Sequence, residues 1–226
     1  DRQTDRQTDR QTDRQTDRQA DRQTDRQNLI RFLQYVFGVI KIRLGDFLIR
    51  QTGTNVTATE MKRYHKDNGE IKIFAGGNTT ANVDRGSIAN LKILSATSII
   101  VKSRGNIDFE FYDKPFSHKN ELWSYRSEFK EISLKYVYYY LKNNVEYFRK
   151  RAISGKLPQI SIPVTDDFVF PLPTFKEQQR IVSILDRFDM LCNDLQSGLP
   201  AEIEARKKQY EYYRDKLLTF KESTAS

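Results

Sequence analysis

The stretch FPLPTFKEQQ, residues Phe170 to Gln179, constrains the organisation of this chain more than any other. Pro171 and Pro173 remove backbone donors and stop regular structure. Thr174 then offers a hydroxyl as an N-cap, and Glu177 three residues later completes the signature of a capping box, so the sequence predicts a helix that starts here. Ile181, Ile184, Phe188, Leu191 and Leu195 follow at alternating spacings of three and four, which is a coiled-coil seam that one helix cannot bury alone. Ser197 and Gly198 break it, and Pro200 suits the first turn of a second helix. That helix repeats the pattern through Ile203, Tyr210, Tyr213, Leu217 and Phe220, with Arg206 at a charged seam position. Either the two helices close on each other or another helical element covers them. Ile181, Ile184, Phe188, Leu191, Tyr213 and Leu217 are the candidate interface positions if two copies pair.

The opposite end has no such pattern. Residues Asp1 to Gln27 are six copies of Asp-Arg-Gln-Thr, the fifth altered at Ala20, and a seventh that stops at Asp-Arg-Gln, with Asn28 in place of its Thr. Each copy is neutral and carries no apolar residue spaced for a helix stripe or strand face, so disorder is the expectation for 1–27. The reason for the tract is better sought in the gene. Asp, Arg, Gln and Thr can be written GAC AGA CAG ACA, which is the tetranucleotide GACA three times over, with no stop in any forward frame, and all three frames then encode the same peptide. Loss or gain of one unit leaves the tract unchanged and shifts everything after it out of frame, which makes an on/off switch. A linker selected for its peptide properties is the other reading.

About 200 residues remain for one or two compact domains. One cysteine, Cys192, rules out a disulfide framework, and His65 and His118 are the only histidines, so no zinc-ligand spacing exists. A metal-free cytoplasmic protein is the expectation. The run Leu29 to Ile40 contains Arg31 and Gln34 and is too short to span a bilayer, so no membrane role is expected. Leu29, Leu33, Val36 and Ile40 fall at helical spacing. The net charge of +8 is localised: residues 28–173 hold 22 basic and 14 acidic side chains, whereas the tract has 7 of each and residues 174–226 have 9 of each. A basic unit at 28–173 beside a neutral helical unit at 174–226 points to a polyanion surface on the first.

That middle unit reads as mixed α and β. Ile71 to Phe74 is a short strand signal before the polar loop AGGNTTANVDRG. Ser98 to Lys102 and Ile107 to Tyr112 read as a hairpin turned at Gly105. Leu134, Val137, Leu141, Val145 and Phe148 recur at helical spacing before the basic end Arg149 to Arg151. Asn78, Thr79, Thr80 and Arg85 in the first loop, and Lys102, Arg104 and Asn106 around the hairpin turn, suit phosphates and base edges. His118 and Lys119 form a further polar cluster with Asn120. Lys156 and Gln159 flank LPQI and could reach a phosphate. Tyr138, Tyr139, Tyr140 and Trp123 fit core packing better than base stacking.

Phosphate loops, dinucleotide turns and the Asn-Pro-Pro-aromatic motif of adenine methyltransferases are all missing from the sequence. A loose magnesium-nuclease pattern can be drawn through Asp46, Glu70 and Lys72, or through Asp113, Glu128 and Lys130, but it is weak in a chain that is 30% charged. A structural coiled-coil protein is the remaining alternative.

The stretch PLPTFKEQQRIVSILDRFDMLCNDLQSGLPAEIEARKKQYEYYRDKLLTF resembles the helical region of specificity subunits from type I restriction-modification systems. Upstream, LGDFLIRQTGT, IKIFAGG, SIIVKSRGNIDFEFYDKPF and GKLPQISIP resemble landmarks of that family's target recognition domain, so the likeness runs from about Arg43 to Phe220. It implies an α+β recognition domain followed by long coiled-coil helices. It also implies a non-catalytic reader of double-stranded DNA that positions methyltransferase and restriction subunits, which would bring the S-adenosylmethionine, magnesium and ATP. Members of the family usually have two recognition domains and two helical regions, whereas one of each is present here. The chain carries no initiating Met, and two forms fit: a half-subunit that pairs with a second copy, or the distal part of a longer subunit.

Overall fold

In a computed structural model, residues 24–153, 155, 157–194 and 200–219 are described. A helix, α1, occupies 24–37 and therefore includes the last four residues of the repeat tract; the rest of the tract lies outside the described residues. Gly38, at φ +72°, ends it, and its N–H donates to the Gln34 carbonyl at 2.8 Å. The helical stripe expected to reach Ile40 therefore stops short, and Ile40 lies in a strand. The buried face is Ile30 and Gln34 rather than Leu29 and Val36, which are exposed. Burial of Gln34 is satisfied because its amide donates to the Pro173 carbonyl at 2.7 Å.

Strand β1 (Val39–Arg43) pairs antiparallel with β9 (Val169–Pro173), so the entry to the α+β region lies beside its exit. A two-stranded ribbon tolerates the missing donors of Pro171 and Pro173. Between these strands come helix α2 (Leu44–Phe47), strand β2 (Ile49–Thr52) and helix α3 (Ala58–Arg63), the last opened by a full Thr57–Glu60 capping box. Strands β3 (Ile71–Phe74), β4 (Thr80–Val83), β5 (Ser98–Lys102) and β6 (Asp108–Tyr112) follow, then β7 (Phe116–His118) and β8 (Trp123–Arg126). They form a four-stranded sheet in the order β2-β8-β5-β6 and a three-stranded sheet in the order β4-β3-β7. A cluster containing Phe74, Ile100 and Phe116 joins the two.

Helices α4 (Leu134–Asn143) and α5 (Val145–Arg149) replace the single helix expected from the spacing. Ser133 caps α4 by accepting from the Tyr136 N–H. Tyr136 and Tyr139 are buried and Tyr138 and Tyr140 are half-buried against the same core, while the Trp123 indole donates to Thr165 at 3.1 Å, so these aromatics pack rather than present faces for stacking. Helix α6 (Ile162–Asp166) leads to β9, and α7 (Phe175–Asp194) and α8 (Pro200–Leu218) complete the described chain.

The largest core cluster crosses the 173/174 boundary without interruption, holding Ile30, Tyr125, Phe148 and Phe170 together with Ile181, Leu185 and Leu218. Polar contacts strengthen the junction. Gln178, fully buried on α7, accepts from the Ser133 N–H and donates to the carbonyls of Glu131 and Pro173, each at 2.8 Å. The Tyr139 hydroxyl donates to Asp186 at 2.6 Å or Asp189 at 2.8 Å, and Lys135 pairs with Asp186 at 2.8 Å. Thr174 caps α7 as expected, accepting from the Glu177 N–H at 3.4 Å, but the Glu177 carboxylate is taken by Arg180 at 2.6 and 2.8 Å.

Candidate nucleic-acid interface

Three turns far apart in sequence meet at one edge of the sheets. The first, between β3 and β4, closes through Ala75 N–H to Thr79 carbonyl at 2.9 Å, with Gly77 at φ +68°. The second is the β5–β6 turn, where Gly105 sits at φ +81°, a conformation that favours glycine. The third is held by an antiparallel bridge between Ile153 and Gln159. Backbone hydrogen bonds tie them into a row: Gly77 N–H donates to the Arg104 carbonyl at 3.1 Å, Gly105 N–H to the Pro158 carbonyl at 2.8 Å, and Ile160 N–H to the Ser103 carbonyl at 3.0 Å. A Cβ on Gly105 would lie 3.7 Å from the Gly77 Cα, so the second turn passes close to the first.

Because the backbone does the joining, several side chains are left facing outward. Asn78, Thr79, Thr80, Arg104, Asn106 and Gln159 are exposed along this row. The Arg104 guanidinium makes no ion pair among the described residues. Asn106 is positioned from behind: its side-chain oxygen accepts from Arg149 at 3.3 Å, and Arg149 also donates to the Ile107 carbonyl at 3.2 Å and pairs with Glu146 at 2.7 Å. The basic end of α5 thus supports the hairpin turn, a link that no local pattern could signal. Beside it, Arg151 stacks 3.5 Å over the Tyr147 ring.

Other residues expected to read DNA lie elsewhere. His118 is fully buried; its ring contacts the Lys119 carbonyl and the Ser124 hydroxyl, each at 3.2 Å. Burial pushes its pKa down to about 4, so it is neutral near pH 7 and cannot serve as a phosphate cation. Lys102 is also withdrawn, with its side chain 14% exposed and its ammonium 2.7 Å from Glu110. Lys119 is engaged by Glu121 at 3.2 Å, and Glu121 in turn accepts from the Gly76 N–H at 3.4 Å, so this pair braces the first turn. Arg85 is exposed but follows the far end of β4 from Thr80 and does not join the row. Lys156 lies outside the described residues.

Three members of the patterns drawn for a nuclease are held in other pairs. Asp46 meets Arg43 at 3.2 Å, Lys72 meets Glu110 at 3.5 Å, and Glu128 meets Arg126 at 2.6 Å. Among the described residues no three His, Cys, Asp or Glu side chains form a group that could hold a metal ion. No described helix is long and apolar enough to cross a membrane.

A model of the type I restriction modification DNA specificity domain matches residues 38–205, about three quarters of the chain. The chain belongs to this family. The specificity subunit of the Escherichia coli type I restriction enzyme EcoR124I/EcoR124II is 38% identical over 145 residues, a match covering 63% of this chain and 32% of that subunit. A Mycoplasma pneumoniae protein described as the C-terminus of a putative type I specificity subunit is 30% identical over 124 residues, 54% of this chain and 82% of that protein. Among solved structures, the type I S subunit from M. genitalium has a TM-score of 0.57 at 21% identity, covering 71% of this chain and 41% of that one. The HsdS subunit from Thermoanaerobacter tengcongensis has a TM-score of 0.54 at 19% identity, covering 88% and 52%. The chain thus spans about a third of the E. coli subunit and about half of these solved chains.

The seam positions of this specificity-family chain divide into two sets. Ile181 is fully buried in the core described above and has no surface to offer a second copy, because α7 lies on α4 and β9. Phe188 stacks on Tyr213 at 5.6 Å and meets Tyr210 edge-on at 6.1 Å, so here the two helices close on each other. Ile184, Phe188, Tyr213 and Leu217 still line an open groove of about 670 Å³, and Leu191 is exposed. Leu195 lies outside the described residues, and Ile203 is not described beyond its backbone.

Proposed function

We propose that this chain is the DNA-reading part of a type I restriction-modification complex. The observation that carries the reading is the row of three turns, which gathers Asn78, Thr79, Arg104 and Gln159 on the edge of a domain whose family is defined by DNA specificity. Arg104 would provide a fork of donors for guanine or phosphate, and Asn78 and Gln159 would provide amides for adenine. The recognition region is residues 28–173. The helices of 174–226 act as a coiled-coil spacer that holds methyltransferase and restriction subunits at a fixed distance. Catalysis belongs to those partners, which would carry S-adenosylmethionine, magnesium and ATP.

Two copies would pair through the groove of Ile184, Phe188, Tyr213 and Leu217 together with Leu191, without Ile181. Such a pair would read the same half-site twice in opposite orientation. In a longer subunit an upstream helical region would occupy that groove, and the two halves of the target would differ. The GACA tract fits a gene that is worth switching, since each change of frame turns sequence-specific methylation on or off.

Mapping methylated bases in cells that express the chain with its methyltransferase tests the reading directly. A single motif should appear, lost or relaxed at one base with Asn78→Ala and weakened throughout with Arg104→Ala. A methylome that both substitutions leave intact overturns the assignment of the edge. Loss or gain of one GACA unit should abolish the motif, and an unchanged motif would overturn the switch.

A further inference from the structure

Ile153 and Leu157 are 70% and 53% exposed, and both belong to the third turn of the interface row, beside the exposed Gln159. The described ends of this turn are tied by backbone hydrogen bonds. The Ile153 N–H donates to the Gln159 carbonyl at 2.8 Å, Pro158 accepts from the Gly105 N–H at 2.8 Å, and Pro158 has its own φ fixed by its ring. Leu157 rests against the second turn, with its Cδ2 3.9 Å from the place a Cβ on Gly105 would occupy. Two branched apolar side chains are therefore presented to water at one end of a row that also carries Arg104 and Asn78.

A protein partner would ask for a broader apolar patch than two side chains. Duplex DNA asks for this combination: cations and amides for phosphates and base edges around a small apolar tip that meets the bases themselves. We propose that Leu157 and Ile153 form a wedge that enters a groove of the bound duplex and parts one base step, making that step a determinant of specificity through its ease of unstacking. The inference rests on the DNA-reading role proposed above. It adds a recognition element that acts without hydrogen bonds, and pyrimidine–purine steps would be favoured because they unstack most readily.

The test uses the full chain in complex with its methyltransferase, on the target found by methylome mapping, with 2-aminopurine placed at successive steps of the half-site. The methylated base itself is excluded, because methyltransferases extrude their target from the stack. Fluorescence should rise several-fold at one step. Ile153→Ser with Leu157→Ser should remove that rise at protein concentrations that saturate the DNA, while affinity stays within about tenfold of the parent, or about 1.4 kcal/mol. Both positions are exposed, so the double variant should fold as the parent does. Sequence-preferring binding with no rise at any step, or a rise that survives the double substitution, overturns the wedge and leaves the reader standing. A double variant that loses its methyltransferase yet keeps the rise makes the tip a protein contact and likewise overturns it. Failure of the unaltered complex to prefer any sequence overturns the reader and the wedge together.

Discussion

The interface edge and the helical face of this molecule are held by opposite means. At the edge, main-chain donors of Gly77, Gly105 and Ile160 join three turns and leave Arg104 and Asn78 exposed. On the helical face the joining is done by side chains: Gln178 makes three hydrogen bonds and Tyr139 reaches two carboxylates. A side chain that stabilises the protein is not available to a ligand. The division therefore separates residues that keep the fold from residues free to vary with a target.

The largest effect should come from the helical face. Gln178→Leu strands the Ser133 N–H and the Glu131 carbonyl in a buried site, while the Pro173 carbonyl keeps Gln34; each unmet group costs about 1 to 3 kcal/mol, so a loss of about 2 to 6 kcal/mol is expected in urea unfolding. A loss under about 1 kcal/mol would show that water replaces the glutamine, and the contrast would fail.

Acid provides the next test, on the interior beneath the edge. The pKa of His118 is about 4 in the folded chain and about 6.5 when unfolded, so between these values the unfolded state binds more protons. Its contribution is full above pH 6.5 and falls as pH drops towards 4, by on the order of 3 kcal/mol at the limit. Comparing stability against pH for the parent and His118→Gln should show a shallower acid slope in the variant. Parallel slopes would mean that carboxylates alone govern the acid limb. Tyr139→Phe should cost less, about 1 to 2 kcal/mol, because Asp186 keeps Lys135. The smallest change in stability belongs to Arg104→Ala, within about 0.5 kcal/mol in thermal unfolding. The same substitution should weaken DNA binding by about 1 to 3 kcal/mol in a titration, and only this pairing of results supports the division.

Features written in local chemistry were legible in the sequence. The hairpin at Gly105, the strand at Ile71–Phe74 and the cap at Thr174 all follow from residues within a few positions of each other, whereas Pro171 and Pro173, expected to stop regular structure, lie inside β9 because its partner is β1. What was not legible depended on distant partners. Nothing near Lys102 signals that Glu110 will claim it, and nothing near His118 signals that β7 will be interior. The helical stripe Leu29 to Ile40 misled because periodicity runs through Gly38, whereas φ +72° there ends the helix and turns the chain into β1. The two apolar tips, Ile153 and Leu157, escaped notice because exposure cannot be read from residue type.

The pairing of β1 with β9 has a consequence for how such a protein can change. Val39 lies opposite Pro173 and Arg43 opposite Val169, so the polypeptide leaves the α+β region next to where it entered. Everything between behaves as a cassette on a closed clasp. Turns within it can lengthen, shorten or exchange residues while the clasp keeps its geometry, and α7 still departs from the same place in the same direction. Those turns could thus be rewritten alone, while Ser133, Lys135 and Tyr139 keep the junction with α7 intact.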